Sequence, residues 1–487
     1  MRGTSSLRGC GRLIQVGVAA VALSSWATAH AEDGVTDTEI VLGSSAAYHG
    51  PSAGLGVEQW RGFMAYFDRV NAAGGVFGRK IRVIAYDDNY EPLYCVPNTQ
   101  KLLEQDKVFA LFGYVGTPTL VKALPVLAKF ADKNAFLFTN FTGAQPQRDP
   151  PFGAQVFNLR ASYREETEGL VNYLSKLGSK RFGAYIQDDA YGKSGLDGIQ
   201  RAVKARAAEG VELVATSTYD RGLVFADKVD AQVKEQMAAK VEAVIMIGAY
   251  QGCAAFMRDM RLAGFEGPMA NVSFVGAGSL IKQLTDYEKS SGKKITKNVV
   301  NSQTMPNCDD SKVPICKEYL ADMKKIGLKR VPNVPPARGE PTTRPTNEKG
   351  FVSMEGYADA KLLVEMLKRT GKDLTRVNFK TAAESAEKVD IGLGKPLGFS
   401  PTNHQASHHV WYTMIKNGKW ASINDWEADF AGKPSTGTMK MNEGEEMGGK
   451  VAAASKKRRQ LKKKKPAEGT PAPGEAAKPE EKAPPAK

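Results

Sequence analysis

The chain has 487 residues, 42% of them hydrophobic and 25% charged, which suits a soluble globular protein of two or three domains at about 100–200 residues each. The formal charge is +14, but from Gly432 onward there are 14 Lys and Arg against 7 Asp and Glu, so half of that excess sits in the last segment. The body between Glu32 and Ala431 is left with about +4, which gives no reason to expect a nucleic-acid partner.

The first 31 residues read as a secretory signal peptide. Arg2, Arg8 and Arg12 precede the apolar run from Leu13 to Leu23, and Ala29-His30-Ala31 places small residues around a cleavage point. The run is too short to span a membrane with these flanks. Cys10 lies before the apolar run, the wrong side for a lipid-bearing cysteine. A soluble mature chain starting near Glu32 is expected.

From there short apolar runs alternate with amphipathic helices. Strands are predicted at 39–44, 80–86, 108–112 and 135–138, with helices at 57–71, 92–105 and 118–131 between them. The series then restarts. A helix at 163–177 opens with Ser162-x-x-Glu165, a capping-box pattern. Strands follow at 181–187, 211–216, 243–247 and 268–272, with helices at 191–208, 225–239 and 252–263. Strand–helix alternation implies parallel sheets covered by helices on both faces, and two successive series imply two lobes.

After a further strand from Val299 and a helix at 313–326, the Pro-rich stretch from Arg330 to Pro345 reads as a surface loop. A helix at 354–370 and strands near 397–399 and 408–416 must dock on the earlier lobes. Residues 432–487 lose periodicity and contain Lys456-Lys457-Arg458-Arg459-Gln460-Leu461-Lys462-Lys463-Lys464-Lys465. Such a tail buries too little apolar surface to offset its ordering entropy and is expected to be disordered. It is either a solvated extension or a segment resting on anionic membrane surface.

Four cysteines follow the signal: Cys95, Cys253, Cys308 and Cys316. In an oxidising compartment an even count suggests disulfides, with three possible pairings. Cys308 with Cys316 is favoured as the local pair. Cys95 and Cys253 form either a bridge across the lobes or two separate buried thiols.

The chain resembles a known family at several points. Asn71-Ala72-Ala73-Gly74-Gly75-Val76-x-Gly78-Arg79, followed by Tyr86-Asp87-Asp88, is similar to the first lobe of the type I substrate-binding proteins of ATP-driven importers, the branched-chain amino-acid kind. Gly113-Tyr114-Val115-Gly116-Thr117-Pro118-Thr119, Phe141-Thr142-Gly143-Ala144, Asp188-Asp189-Ala190-Tyr191-Gly192 and Val272-Ser273-Phe274-Val275-Gly276 add to the resemblance, which covers roughly residues 35–419. It implies an α/β fold of two Rossmann-like lobes joined by three crossovers, with a ligand cleft between them. The crossovers are placed near 160, 302 and 394, giving one lobe of 32–160 plus 303–393 and another of 161–302 plus 394–431. It also implies a periplasmic monomer that closes on a solute and hands it to a membrane permease, with no cofactor and no metal.

In open α/β sheets ligands sit beyond the carboxyl ends of strands, where helix amino termini offer unpaired N–H groups. Gly116 and Thr117, with Pro118 at a first helical position and Thr119 after it, suit that task, although Thr117 could simply cap its helix. Phe141 and Thr142 follow the fourth strand and should face the same cleft, and the resemblance adds Tyr191 and Tyr250 as aromatic covers. His49 is a further candidate in the loop after the first strand. The family's amino-acid binders carry an acidic side chain near the position of Ser273. Here that position is neutral, and burying an unpaired cation would be costly. Asp188 or Asp189 could compensate, or could cap the next helix. The expected solute is therefore an amino acid-like molecule, an uncharged polar molecule such as an amide, or an aromatic acid. A sensor that reports closure to a membrane kinase would share fold and site.

An enzyme is not expected. The chain lacks a phosphate loop, a Gly-x-Ser-x-Gly elbow and a His-Glu-x-x-His helix. Of His404, His408 and His409, the last two would point to opposite faces of a strand.

Overall fold

The computed structural model of the chain describes residues 32–328, 330–338 and 349–430. The expected signal peptide, the basic tail and part of the Pro-rich loop lie outside these residues. Strand β1 (Glu39–Ala46) is buried after its first residue, as a strand covered on both faces must be. It is followed by α1 (Ala53–Ala72), β2 (Lys80–Asp87), α2 (Pro92–Glu104), β3 (Ala110–Val115), α3 (Thr117–Ala128), β4 (Leu137–Phe141) and β5 (Val156–Phe157). These five strands form a parallel sheet in the order β2-β1-β3-β4-β5.

The second series comprises α4 (Tyr163–Lys176), β6 (Arg181–Gln187), α5 (Ala190–Ala205), β7 (Glu212–Tyr219), α6 (Asp230–Ala238), β8 (Ala243–Ile247), α7 (Tyr250–Leu262), β9 (Met269–Asn271), α8 (Ala277–Ser291) and β10 (Val299–Gln303). Ser162 and Glu165 form the reciprocal capping box that opens α4. After α9 (Pro314–Ile326), α10 (Phe351–Thr370) and α11 (Arg376–Glu384), the chain ends its described part with β11 (Trp411–Lys416), β12 (Lys419–Ser422) and α12 (Trp426–Asp429). The second sheet runs β12-β11-β10-β9-β8-β6-β7. Its last two strands are an antiparallel hairpin. Asn417 and Gly418 both take positive φ at the turn, 51° and 71°, the conformation that two-residue hairpins demand.

Helices α9, α10 and α11 return to the first sheet. There Phe63, Phe67, Phe138, Phe157, Tyr357 and Phe379 share one core, with Tyr66 edge-on to Tyr357 at 5.1 Å. The second core gathers Tyr185, Ile245, Phe256, Val300 and Trp426.

Three segments cross between the lobes, around 158–162, 303–306 and 406–410. The first and third run side by side: Asn158 N–H donates to His404 O at 2.7 Å and Ala406 N–H to Asn158 O at 2.8 Å. The third crossing lies later than the expected position near 394. Leu397, Phe399 and Ala406 pack in the first lobe's core, Phe399 against Phe157 at 5.2 Å, and only from Val410 does the chain join the second. Apolar residues outside regular elements carry no periodicity to say which core receives them. For the same reason 397–399 makes only isolated bridges. Helix α6 also starts later than expected, at Asp230 instead of Phe225, and β11 begins at Trp411, after both histidines.

Candidate functional site: the cleft between the lobes

Both sheets reverse their strand order, between β1 and β3 in the first and between β6 and β8 in the second. Ligands of open α/β sheets sit at such switch points, beyond the carboxyl ends. The loops there face each other, and the lobes are shut on one another. Tyr250, the first residue of α7, donates its hydroxyl to Pro51 O at 2.6 Å, and Gly54 N–H donates to the same hydroxyl at 3.3 Å. Arg221 reaches across to Glu91 at 2.5 Å, and Gln187 Nε2 donates to Tyr90 OH at 3.4 Å.

Five rings meet inside. Phe274 lies 4.7 Å from Tyr191, 5.3 Å from Phe141 and 6.0 Å from Tyr90, and Tyr191 lies 5.2 Å from Tyr163 (centroid distances). All five are buried. Burial pushes the hydroxyls of Tyr90, Tyr163 and Tyr191 above the usual tyrosine range, so each stays neutral and able to donate. At one edge of the rings, Thr117 Oγ1 and Thr142 Oγ1 are 2.5 Å apart, and Tyr163 OH donates to Thr142 Oγ1 at 3.3 Å. Gly116 precedes them with φ of 111°. A side chain there would place its Cβ 2.4 Å from the Tyr90 ring, so only glycine lets β3 turn into α3 beneath that ring.

Behind the rings lies a buried charge network at the crossovers. The Arg160 guanidinium sits 4.7 Å from the Phe141 centroid. One of its terminal nitrogens donates to Ser273 Oγ and lies 3.5 Å from Glu166 Oε1, while Nε lies 3.6 Å from Glu355 Oε1. Glu166 accepts from Ser273 N–H at 2.7 Å, Ser273 Oγ at 3.0 Å and Ser302 Oγ at 2.6 Å. Glu355 accepts from Thr304 Oγ1 at 2.6 Å. Burial works against the Arg160 cation, but Glu355 and Glu166 outweigh it and hold the guanidinium above its ordinary value. Burial lifts Glu355 despite the pull of Arg160.

The structure brings Gly116, Thr117, Phe141, Thr142, Tyr191 and Tyr250 to this cleft, with Ser273 at its back. Thr119 is turned away: its hydroxyl donates to Val115 O and Gly116 O, both at 3.0 Å, the back-bond that a threonine in a first helical turn readily makes. His49 is buried against Asp87, with Nδ1 3.4 Å from Oδ2. Asp188 is half exposed and pairs with Lys193. Asp189 caps α5 through Tyr191 N–H and pairs with Arg221 at 3.2 Å.

Cys308 and Cys316 are bonded, whereas Cys95 and Cys253 are free and buried. The considered bridge across the lobes is not made, because Cys95 packs in the first lobe beside Leu102 and Tyr114, and Cys253 packs in the core of the second. The three late histidines have different neighbours: Glu384 at 3.0 Å from His404, Glu165 at 2.5 Å from His408, and the Trp411 ring at 4.1 Å from His409. Among the described residues, no three His, Cys, Asp or Glu side chains gather where a metal could bind.

Sequence reasoning missed Tyr90, Tyr163, Phe274, Arg160, Glu166 and Glu355. Phe274 lies inside a motif already singled out, Tyr90 borders one, and Tyr163 follows the capping serine. Arg160 and Glu166 lie six residues apart, but Glu355 comes from a distant stretch, and only the crossovers bring it to them.

A family model described as periplasmic binding protein matches residues 39–419. The solved structure of a possible leucine/isoleucine/valine-binding protein from Rhodopirellula baltica is 31% identical, with a TM-score of 0.69 over 81% of this chain and 98% of that one. An amino acid binding protein of Pseudomonas aeruginosa is 27% identical over 52% of this chain, a match that spans 64% of that protein's length. A Leu/Ile/Val-binding protein homolog of Brucella abortus is 22% identical over 79% of this chain and 91% of its own length. With two α/β lobes shut over a shared cleft, and a match that runs through both of them, the chain belongs to the periplasmic binding protein family.

Proposed function

We propose that this chain is the solute-binding component of an ABC-type importer. It would capture a small carboxylate-bearing molecule with an aromatic or apolar body and present it, unaltered, to a membrane permease. The signal-like first 31 residues would deliver it to the periplasm, where it would act as a monomer. The observation that carries the choice of solute is the pairing of five buried rings with a carboxylate group already spoken for. Glu166, the acid beside Ser273, accepts three hydrogen bonds and faces Arg160, and Glu355 and Asp189 are likewise paired. An ammonium placed here would have to break one of these pairs, and breaking a buried pair costs about 3–5 kcal/mol. The solute carboxylate would instead meet the hydroxyls of Thr117 and Thr142 and the first-turn amides of α3, which lack helix-internal acceptors. Ring faces would hold its body.

Calorimetric titration of the whole protein with benzoate, phenylacetate, leucine, phenylalanine and benzamide tests this. An aromatic carboxylate should bind at least tenfold tighter than the amino acid of matching size, and Thr117→Ala should weaken it. Preference for the amino acids would refute the assigned solute class, and unchanged binding in Thr117→Ala would refute the assigned pocket.

A further inference from the structure

A cavity of about 510 Å³ lies outside the ring-lined cleft. Its size falls within the roughly 300–1,000 Å³ typical of small-molecule sites. Each lobe supplies a wall. The second lobe contributes α8 and the β11–β12 hairpin, which are joined by the Trp420 indole N–H donating to Ala277 O at 2.8 Å. The first contributes the start of α10, held to α9 by Tyr319 OH at 3.1 Å from Gly350 O and 2.7 Å from Ser353 Oγ. The segment around Cys308 closes one side, with the Asn307 amide donating to Trp420 O at 3.1 Å. These bonds fix the walls without any occupant.

The lining has two chemistries. Its apolar surface is Ile281, Phe351, Met354, Trp420 and the disulfide at Cys308. Ile281 and Phe351 are only partly buried although both are large apolar residues. Its charged groups are Lys282, Lys289, Lys349 and Lys419 against Asp286 and Asp309. Asp286 is shared by Lys282 at 2.5 Å and Lys289 at 3.9 Å, and Asp309 pairs with Lys349. Four cations against two anions leave a net positive rim over an apolar floor.

We infer that this cavity is a second ligand site that takes a small amphipathic monoanion, its apolar body against Ile281, Phe351 and Met354 and its charged head among the lysines. A cation of the same shape would meet the positive rim, and an uncharged polar molecule would gain little from the floor. The site is distinct from the cleft, since Thr117, Tyr191 and Phe274 do not line it.

Titration of the full chain with decanoate tests the inference, with decylamine as the cationic counterpart. In Phe274→Ala, whose ring-lined cleft is disrupted, decanoate should still bind, at one site and at least tenfold tighter than decylamine. In that background Ile281→Glu should weaken decanoate at least tenfold and Lys419→Glu about threefold. Ile281 is only partly buried and Lys419 is exposed, so both variants should fold, and thermal unfolding checks this. Absence of saturable decanoate binding up to about 1 mM (about −4 kcal/mol) would overturn the inference. So would equal binding of decylamine, or binding lost in Phe274→Ala but kept in Ile281→Glu, which would place decanoate in the cleft.

Discussion

The Tyr250 hydroxyl of the second lobe donates to the Pro51 carbonyl of the first, 2.6 Å away. A ligand shifts such an equilibrium only by its differential affinity for the closed state, and every direct bond between the lobes adds to that state. One neutral hydrogen bond contributes about 1 kcal/mol. Tyr250→Phe should therefore weaken solute binding about fivefold, mostly through faster release, while leaving the unfolding temperature nearly unchanged. Stopped-flow dissociation measures it.

The network behind the rings should respond very differently. Arg160 faces Glu166 and Glu355, and all three are buried. Arg160→Met removes the cation and strands two carboxylates, a loss of about 3–5 kcal/mol. Glu166→Gln keeps the shape and some of the hydrogen bonds, so it should cost less. Denaturant unfolding of both variants checks the ranking. An Arg160→Met protein as stable as the parent would show that the network contributes nothing to the fold.

Much of the cleft was legible in the sequence, because its first-lobe part is local. The run Gly113 to Thr119 contains a strand, a glycine turn and a helix start in order, and it places Thr117 at the carboxyl end of a strand. Thr142 followed by the same logic, whereas Tyr191 and Tyr250 came from the family resemblance. Arg160 was not legible. A charge is ordinarily exposed, and nothing near residue 160 indicates that Glu166 and Glu355 will enclose it. The third crossing was misplaced because residues 394–406 have neither helical nor strand period, so whether they pack on Phe157 or on Trp426 is a tertiary outcome. Thr119 looked equivalent to Thr117, but its position in the helix turn directs its hydroxyl back to the backbone.

Asp88 gives the chain a pH signature. Burial pushes its carboxyl up to about 7, even though Ser45 and the Tyr90 N–H donate to it. Asp87, the Cys95 thiol and the Tyr48 and Tyr114 hydroxyls are its titratable neighbours. A carboxyl raised in the folded state binds its proton more tightly there than when unfolded. Its stabilising contribution is complete below the unfolded value near 4 and declines as pH rises to about 7, by at most ~1.4 kcal/mol per pH unit. Above pH 7 the loss is constant. Denaturant unfolding at several pH values should show Asp88→Asn lacking this decline. Parallel profiles for the two proteins would contradict it.

The Cys308–Cys316 bond closes a short loop that links the first lobe's core, where Cys316 packs, to β12 of the second lobe. Asn307 donates to Trp420 O, and Asp310 accepts from Ser422 N–H and Oγ. For a loop of this length the chain-entropy term is about 2.5 kcal/mol. Reductant should lower the unfolding temperature, and Cys316→Ser should make the protein insensitive to it. Alkylation of unreduced, denatured protein should modify Cys95 and Cys253 and spare the other two.

The distance between the lobes is the most direct measurement. Leu93, at the start of α2, and Lys193, in the first turn of α5, are exposed on opposite lobes. Spin labels on Leu93→Cys and Lys193→Cys can be read by pulsed EPR in the presence and absence of a bound aromatic carboxylate. The population should move from a broad, longer distribution to one short distance on binding. A solute that binds tightly and leaves the distribution unchanged would contradict capture by closure.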